Sequence, residues 1–169
     1  MVVTHAELLE LSDADLLGQC EVQTRRGSGP GGQKRNKTES AVRLRHAPSG
    51  ITVQSDDTRS QHQNRRRALA RLRERIALTL RHEIDPATWK PPESLARLLQ
   101  GAVGRNNPDY LPAVAALLDL FVAVGCSVRD AAQHLGIGTG ALSRRLLADE
   151  SLARAVNSLR AERGLRLLR

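Results

Sequence analysis

Two segments in the first half of the chain alternate apolar and polar residues, which is the pattern of half-buried β-strands. In "AVRLRH", residues 41–46, Val42 and Leu44 alternate with Arg43 and Arg45. The segment "ITVQS", residues 51–55, alternates in the same way, and "APSG" between the two has turn chemistry. The pattern therefore predicts a β-hairpin over residues 41–55. The brief alternating segment "CEVQTRR", residues 20–26, predicts one more strand.

The most clearly helical pattern lies over residues 59–81. Ser60 and Gln63 have the spacing of a capping box at its start. An apolar stripe predicts one buried face that packs on the hairpin, and it consists of Leu69, Leu72, Ile76 and Leu80. The opposite face carries Arg66, Arg67, Arg71, Arg73 and Arg75. Five arginines with one glutamate among them pair poorly within a helix, which favours RNA phosphate as their partner over an ordinary solvated face.

Shorter helical patterns precede and follow this region. Residues 5–20 place leucines among acids, with a capping pattern from Ser12 to Asp15, and predict one or two short helical turns. Residues 83–112 hold five prolines, which interrupt long helices, so we expect a linker there with a short helix across residues 93–101.

The last third of the chain predicts three helical segments, residues 113–125, 127–136 and 138–164, the third of them split near Asp149. Within them, "AAQHLGIGTGALSRRL", residues 131–146, resembles a helix-turn-helix. Gly136 would end its first helix, and Arg144 and Arg145 would face outward from its second, as candidate nucleic-acid contacts. A three-helix bundle without such contacts fits the same spacing.

These elements predict an α+β fold in three parts. Residues 1–82 form a small mixed α/β domain, in which the hairpin sheet packs on the arginine-rich helix behind a short helical N-terminus. A proline-containing linker follows over residues 83–112, and residues 113–169 form a small all-α, helix-turn-helix-like domain.

Charge is concentrated rather than spread along the chain. The formal net charge is +8 over 169 residues; residues 1–24 carry no lysine or arginine, whereas residues 25–81 carry 15 bases and four acids. This distribution indicates a polyanionic partner, either nucleic acid or the ribosome. Base-stacking RNA-binding platforms are disfavoured because the only aromatic residues are Trp89, Tyr110 and Phe121, outside the basic segment.

Chain length, cysteine spacing and the distribution of apolar residues disfavour several classes of protein. A chain of this length excludes a large multidomain enzyme. Cys20 and Cys126 have neither zinc-ligand nor disulfide spacing, so we expect no metal and a cytosolic compartment. The absence of a long apolar run and of a basic N-terminus predicts a soluble cytoplasmic protein with no membrane contact.

The segment "GSGPGGQ", residues 27–33, cannot hold regular structure. It lacks the order of a P-loop and of a G-x-G-x-x-G turn, which disfavours a nucleotide site. Its four glycines can take positive φ, which suits a tip that enters a narrow cavity with its backbone amides exposed. No Ser/His/Asp or Cys/His arrangement is evident nearby.

Residues 28–72 resemble the catalytic domain of class I peptide chain release factors and their ribosome-rescue relatives. Their sequence is "SGPGGQKRNKTESAVRLRHAPSGITVQSDDTRSQHQNRRRALARL". The resemblance is carried, in order, by the GGQ tripeptide, N-K-T-x-S-A-V-R, P-S-G-I and R-S-Q-x-x-N-R. The chain departs from the family at Lys34 and Arg35, where release factors commonly carry a His-Val pair.

The resemblance implies ribosome-dependent hydrolysis of the ester between nascent peptide and transfer RNA, with Gly31, Gly32 and Gln33 as catalytic residues. Gly31 and Gly32 would give Gln33 an unusual backbone geometry. The Gln33 main-chain N–H would then stabilise the developing oxyanion or leaving hydroxyl, and its side chain would position water. No cofactor is implied, but Gln33 becomes a candidate for methylation by a glutamine methyltransferase.

The implied partners are the large ribosomal subunit, ribosomal RNA and peptidyl-tRNA, with the protein acting as a monomer. The residues expected to contact RNA are basic residues on and beside the tip, namely Arg25, Arg26, Lys34, Arg35, Lys37, Arg43, Arg59, Arg65, Arg66 and Arg67.

The resemblance leaves two roles open, termination at stop codons and rescue of stalled ribosomes. Neither an anticodon-like loop motif nor enough chain for a codon-reading domain is evident, which favours codon-independent rescue of stalled ribosomes over termination. The arginine-rich end of the chain looks folded, whereas small rescue factors often end in a flexible basic tail. A competing hypothesis is a helix-turn-helix regulator that binds nucleic acid or ribosomes and carries a non-catalytic GGQ domain.

Overall fold

The computed structural model describes residues 4–25 and 40–169, which form eight helices and one three-stranded sheet. This confirms a mixed α and β architecture. The described residues of Glu7–Ile76 form one compact unit, and Ala77–Arg169 together with Thr4–Ala6 form a second. In order, the elements of the first half are α1 (His5–Glu10), α2 (Asp13–Gly18), β1 (Cys20–Arg25), β2 (Ala41–His46), β3 (Thr52–Ser55) and α3 (Gln61–Thr79). Those of the second half are α4 (Glu93–Leu99), α5 (Tyr110–Ala123), α6 (Val128–His134), α7 (Thr139–Leu147) and α8 (Glu150–Ala161).

The sheet of the first unit is antiparallel, with β2 between β1 and β3. The predicted hairpin is confirmed as β2 and β3, and β1 joins its other side with Val22 opposite Leu44. Val42 and Leu44 are buried while Arg43 and Arg45 are exposed. The alternation read from the sequence therefore separates an inner apolar face from an outer basic face.

Helix α3 contacts β3 through Arg71, and its apolar stripe is buried within the first unit. Leu69, Leu72 and Ile76 are buried as predicted. Arg71 Nη1 donates to the carbonyl of Gln54 in β3 at 2.6 Å. The backbone N–H of Gln63 donates to Ser60 Oγ at 3.3 Å, which confirms the predicted cap at the start of the helix. Leu80 follows the end of α3 and is only partly buried.

The N-terminal helices follow their predicted capping pattern. The Asp15 N–H donates to Ser12 Oγ at 3.1 Å, and the Ser12 hydroxyl donates to Asp15 Oδ2 at 2.6 Å. Leu8 of α1 and Leu16 of α2 are buried in the first unit. Helix α2 thus begins at a local cap, and both short helices are held by apolar burial.

The second unit is built around α5, whose residues 113–121 are all buried. A helix that is buried on all sides is necessarily apolar around its whole circumference. Asp119 is the exception, a buried acid 4% exposed within this run. Helices α4, α6 and α8 contact α5, and α7 contacts α6 and α8. The shared core includes Leu98, Ala132, Leu146 and Val156.

Residues 83–112 differ from the linker expected there. Leu95, Leu98 and Val103 belong to the core of the second unit, and Trp89 packs against it. Helix α5 begins at Tyr110, so Pro112 lies in its first turn, where a missing N–H removes no intrahelical bond. The prolines do interrupt long helices, but the apolar residues between them fill the core.

The C-terminus of α6 and the N-terminus of α8 show why the helical pattern of the last third of the chain is interrupted at these positions. Gly136 ends α6 with φ 65°, and the N–H of the following Ile137 donates to the Ala132 carbonyl at 3.0 Å. Asp149 Oδ1 accepts the N–H groups of Ser151 and Leu152 at 2.9 and 3.0 Å, which confirms the predicted break before α8. A role for α6 and α7 as a helix-turn-helix stays a prediction.

The final residues fold back on α8. Asn157 accepts from the Leu168 N–H at 2.8 Å and donates to the Leu168 carbonyl at 3.3 Å. Leu168 also packs against the core of the second unit. The expectation of a folded end is thus confirmed for these residues.

Over residues 4–25 and 40–169, no single helix is both long and apolar enough to cross a bilayer; α5 and α6 meet that requirement only as a pair, across a bend of 118°.

Candidate active site

The paired ends of two strands bound the segment that carries the predicted catalytic residues. Arg25 at the end of β1 pairs with Ala41 at the start of β2. Residues 26–39, called the glycine segment below, connect these strand ends and lie outside the described residues. The predictions for Arg26, Gly31, Gly32, Gln33, Lys34, Arg35 and Lys37 therefore fall on that segment.

Ser40, the residue between the glycine segment and β2, is held by a side chain of α3. Asn64 is fully buried, and its Nδ2 donates to the carbonyls of Ser40 and Thr58, both at 2.7 Å. Its Oδ1 accepts from the Thr58 N–H at 2.9 Å and from the Thr58 hydroxyl at 3.1 Å. Asn64 received no role from the sequence, although it stands in the R-S-Q-x-x-N-R motif.

The described arginines expected to contact RNA lie on two surfaces of the first unit. Arg25 and Arg43 are exposed on the outer face of the sheet. Arg59 is exposed in the turn before α3, and Arg66 and Arg67 are exposed on the first half of that helix. Arg65, on the same part of the helix, is half-buried rather than exposed.

A shallow groove of about 390 Å³ lies between α2 and α3. Leu17 and Leu69 supply apolar lining, while His62, Arg65 and Arg66 supply nitrogen donors. Within residues 4–25 and 40–169, the buried Nε of Arg65 has no hydrogen-bond partner. The guanidinium groups of Arg65 and Arg66 can pair with phosphate groups of nucleic acid. Asp13 also lines the groove and opposes that charge.

Two arginines of α3, for which RNA phosphate was the favoured partner, contact an acid outside the helix. Arg71 Nη2 contacts Asp57 Oδ2 at 2.8 Å, and Arg67 Nη1 contacts the same oxygen at 3.5 Å. A hydrogen bond from Ser55 is the largest cause that lowers the pKa of Asp57, and Arg71 and Arg67 add to it. The ionised Asp57 thus neutralises part of the basic face.

Arg73 also differs from the outward, RNA-facing position expected for it. Its guanidinium donates to the carbonyls of Leu9 at 3.0 Å and Leu11 at 2.7 Å, and contacts Asp13 Oδ1 at 2.9 Å. These carbonyls lie at and just after the end of α1, where helix acceptors lack intrahelical donors. Arg73 therefore serves the fold of the first unit.

His46 is a structural residue. It is fully buried, with ring nitrogens 2.7 Å from Ser49 Oγ and 3.0 Å from Gln19 Oε1. Burial lowers the pKa of His46 below its ordinary value, so the ring is neutral at pH 7.

The two candidate arginines of the second unit have different environments. Arg144 is exposed, whereas Arg145 is half-buried. Arg145 Nη2 donates to the Leu99 carbonyl at 3.3 Å and lies over Gly101, which has φ 82°. Arg145 therefore stabilises the end of α4, which leaves Arg144 as the outward member of the pair.

Comparison with known proteins identifies a family whose domain matches most of the first half of the chain. Residues 10–97 match the RF-1 domain, a range that includes all three strands, α3 and the glycine segment. Over 74 residues, or 44% of this chain, the sequence is 47% identical to peptide chain release factor 1 of Baumannia cicadellinicola subsp. Homalodisca coagulata. The chain covers 19% of the length of that relative.

Proposed function

The chain belongs to the RF-1 domain family, and from that premise we propose that it hydrolyses peptidyl-tRNA on the large ribosomal subunit without reading a codon. The observation that carries the proposal is the family match over residues 10–97, which spans the glycine segment and the strands that bound it. The basic surfaces of the first unit support ribosomal RNA as the partner that seats it.

In the proposed reaction, water attacks the carbonyl carbon of the ester between the peptide and the 3′ oxygen of transfer RNA. The carbon–oxygen ester bond breaks, the peptide leaves as a carboxylic acid, and a proton goes to the 3′ oxygen. Gly31 and Gly32 permit the backbone geometry in which the Gln33 N–H faces the developing negative charge. The Gln33 side chain positions the water, and the ribosome holds the ester.

Such a mechanism needs no titrating side chain at the reacting atoms. A preorganised backbone donor acts without a proton transfer of its own, and in other acyl-transfer enzymes it contributes about 2.7–4 kcal/mol. Seating among phosphates requires positive charge on both sides of the tip, which Arg26, Lys34, Arg35 and Lys37 would supply.

Codon-independent rescue is the form of release that we propose. Residues 98–169 lie outside the family match, and the second unit that they largely form is an all-helical body around α5. We propose that this unit contacts the ribosome or transfer RNA. Arg144 is its exposed candidate, and no observation favours a free-standing regulator instead. Methylation of Gln33 and a monomeric state also remain proposals.

The test measures peptide release from purified ribosomes that hold peptidyl-tRNA in the P site. The A site is left empty, or holds a sense codon or a stop codon, and Gly32→Ala is the matched variant. We expect equal release with an empty A site and with a stop codon, and loss of both in the variant. Release that requires the stop codon would contradict rescue and keep hydrolysis. If a termination factor works on the same ribosomes and this protein releases nothing, the hydrolase proposal is wrong.

Alanine variants of Arg66 and Arg73 should differ in their effect on ribosome binding, because these two arginines of α3 have different environments. We expect Arg66→Ala to weaken binding and to reduce the slope of log affinity against log salt by about 1, because the variant no longer neutralises one phosphate. Arg73→Ala should instead lower the free energy of unfolding by about 1.5–3 kcal/mol, through loss of its bonds to the Leu9 and Leu11 carbonyls, with the salt slope unchanged. The measurements are equilibrium binding to large subunits across a salt series, and urea unfolding. Equal salt slopes for the two variants would contradict this assignment.

A further inference from the structure

Asn64 has an environment that is unusual for a side chain near the start of a helix. It is fully buried, and both polar atoms of its amide are engaged, with two bonds donated and two accepted. An amide has two donor hydrogens and two acceptor lone pairs, so Asn64 uses its whole capacity. Each of these bonds goes to Ser40 or Thr58.

The Ser40 bond is the one that bears on the glycine segment. Ser40 is 4% exposed and directly precedes Ala41, the first residue of β2. Its carbonyl receives the Asn64 Nδ2 at 2.7 Å across 24 residues of sequence. On the other side, Arg25 is held by its pairing with Ala41. The chain is therefore fixed immediately before and immediately after the glycine segment.

We propose that Asn64 is a positioning residue for peptide release, which acts by fixing the carbonyl of Ser40, the residue that directly follows the segment containing Gln33. This inference rests on the proposed hydrolase function. A displacement of about 1 Å at reacting groups can cost about 10²-fold in rate, so a backbone donor needs rigid supports outside its own segment. Gln33 is separated from Ser40 by six residues, and the buried amide is the nearest described anchor on that side.

Asparagine is specific for this position. The same nitrogen donates to two carbonyls, which aspartate cannot do, because an ionised carboxylate only accepts. In Asn64→Asp a carboxylate oxygen would face the carbonyls of Ser40 and Thr58, while the other oxygen could still accept from the Thr58 N–H. This isosteric change thus removes the bonds to the Ser40 and Thr58 carbonyls and retains the bonds that Asn64 accepts from the Thr58 N–H and hydroxyl.

A purely structural role for Asn64 would also lower activity through instability, so a control of similar burial is needed. His46 provides it, since it lies in the same unit, is fully buried and makes two side-chain hydrogen bonds. It stands at the opposite end of β2, five residues after Ala41, or about 17 Å at the rise of a strand. His46→Ala therefore perturbs the first unit away from the glycine segment.

The experiment compares Asn64→Asp, Asn64→Ala and His46→Ala in single-turnover release, at a temperature where all three are folded by circular dichroism. We expect the Asn64 variants to lower the maximal release rate about tenfold or more, with an unchanged half-saturating concentration. His46→Ala should keep the maximal rate even when its melting temperature falls as far. Asn64 variants that release at the wild-type rate, or no worse than His46→Ala, would overturn the proposal.

Hydrogen exchange gives a second readout that does not depend on release. We expect amide exchange in peptides covering residues 26–42 to rise in Asn64→Asp and to stay unchanged in His46→Ala. Unchanged exchange in Asn64→Asp would overturn the anchoring role itself. If exchange rises but wild-type protein releases no peptide, the proposed function is wrong while the anchoring of the segment stands.

Discussion

Replacing Gln33 with proline is expected to lower the maximal rate of peptide release by a factor of about 10²–10³, the cost of removing one oxyanion donor in other acyl-transfer enzymes. Proline has no backbone N–H, whereas Gln33→Ala keeps that group and removes only the side chain. We therefore expect Gln33→Ala to release faster than Gln33→Pro. The measurement is single-turnover release from ribosomes with an empty A site, together with equilibrium binding.

The control for stiffening the segment is Ser28→Pro, which places a proline in the same glycine segment but leaves the Gln33 N–H intact. Binding of all three variants should match wild type, since none changes the charge. Equal losses in Gln33→Pro and Gln33→Ala would assign the effect to the side chain and contradict a backbone donor. A loss of similar size in Ser28→Pro would assign it to stiffness.

Removing Asp119 is expected to destabilise the second unit by about 3–5 kcal/mol, because it leaves a buried cation without its partner. Asp119 Oδ1 lies 3.2 Å from Arg81 Nη1 and accepts from the His82 N–H at 3.1 Å, while Oδ2 lies 2.5 Å from His5 Nε2. Burial lowers the pKa of Arg81 and the charge of Asp119 raises it, so removing the carboxylate leaves a buried guanidinium without its counter-charge.

Urea unfolding followed by Trp89 fluorescence measures this effect selectively. Trp89 is the single tryptophan of the chain and packs on the core of the second unit. Asp119→Asn is the matched variant, because its amide oxygen can still accept from His82 while the charge is gone. We expect the Asn variant to fall between wild type and Asp119→Ala. A loss below about 1 kcal/mol in Asp119→Ala, the worth of an exposed ion pair, would contradict a buried network.

The sequence indicates the importance of both Gln33 and Asp119, but it identifies the environment of Gln33 more specifically. The GGQ tripeptide stands among several separated motifs in the right order, and the family match to residues 10–97 confirms the resemblance. Asp119 is a single acid in the apolar run "AVAALLDLFVAVG", residues 113–125, where a charge needs a partner. Nothing local identifies that partner, because Arg81 and His5 lie 38 and 114 residues away in the chain.

Local patterns determined most of the elements. The caps at Ser12, Ser60 and Asp149, the hairpin over β2 and β3, and the apolar stripe of α3 are relations between residues a few positions apart. Such relations depend on backbone geometry within one turn or one strand, which the sequence specifies directly. The same holds for the concentration of positive charge in residues 25–81, which is independent of packing.

Tertiary structure decided which of those charges face solvent and which hold the fold together. Arg71, Arg73 and Arg145 read alike as outward cations, yet each donates to a backbone carbonyl distant in sequence, of Gln54, Leu9 or Leu99 respectively. It also placed Leu95, Leu98 and Val103 in a core and Asn64 against Ser40. A guanidinium or amide binds whichever acceptor the packed chain brings near it. The sequence by itself therefore determined the elements, the charge and the family, and only the folded chain assigned individual polar side chains to scaffold or surface.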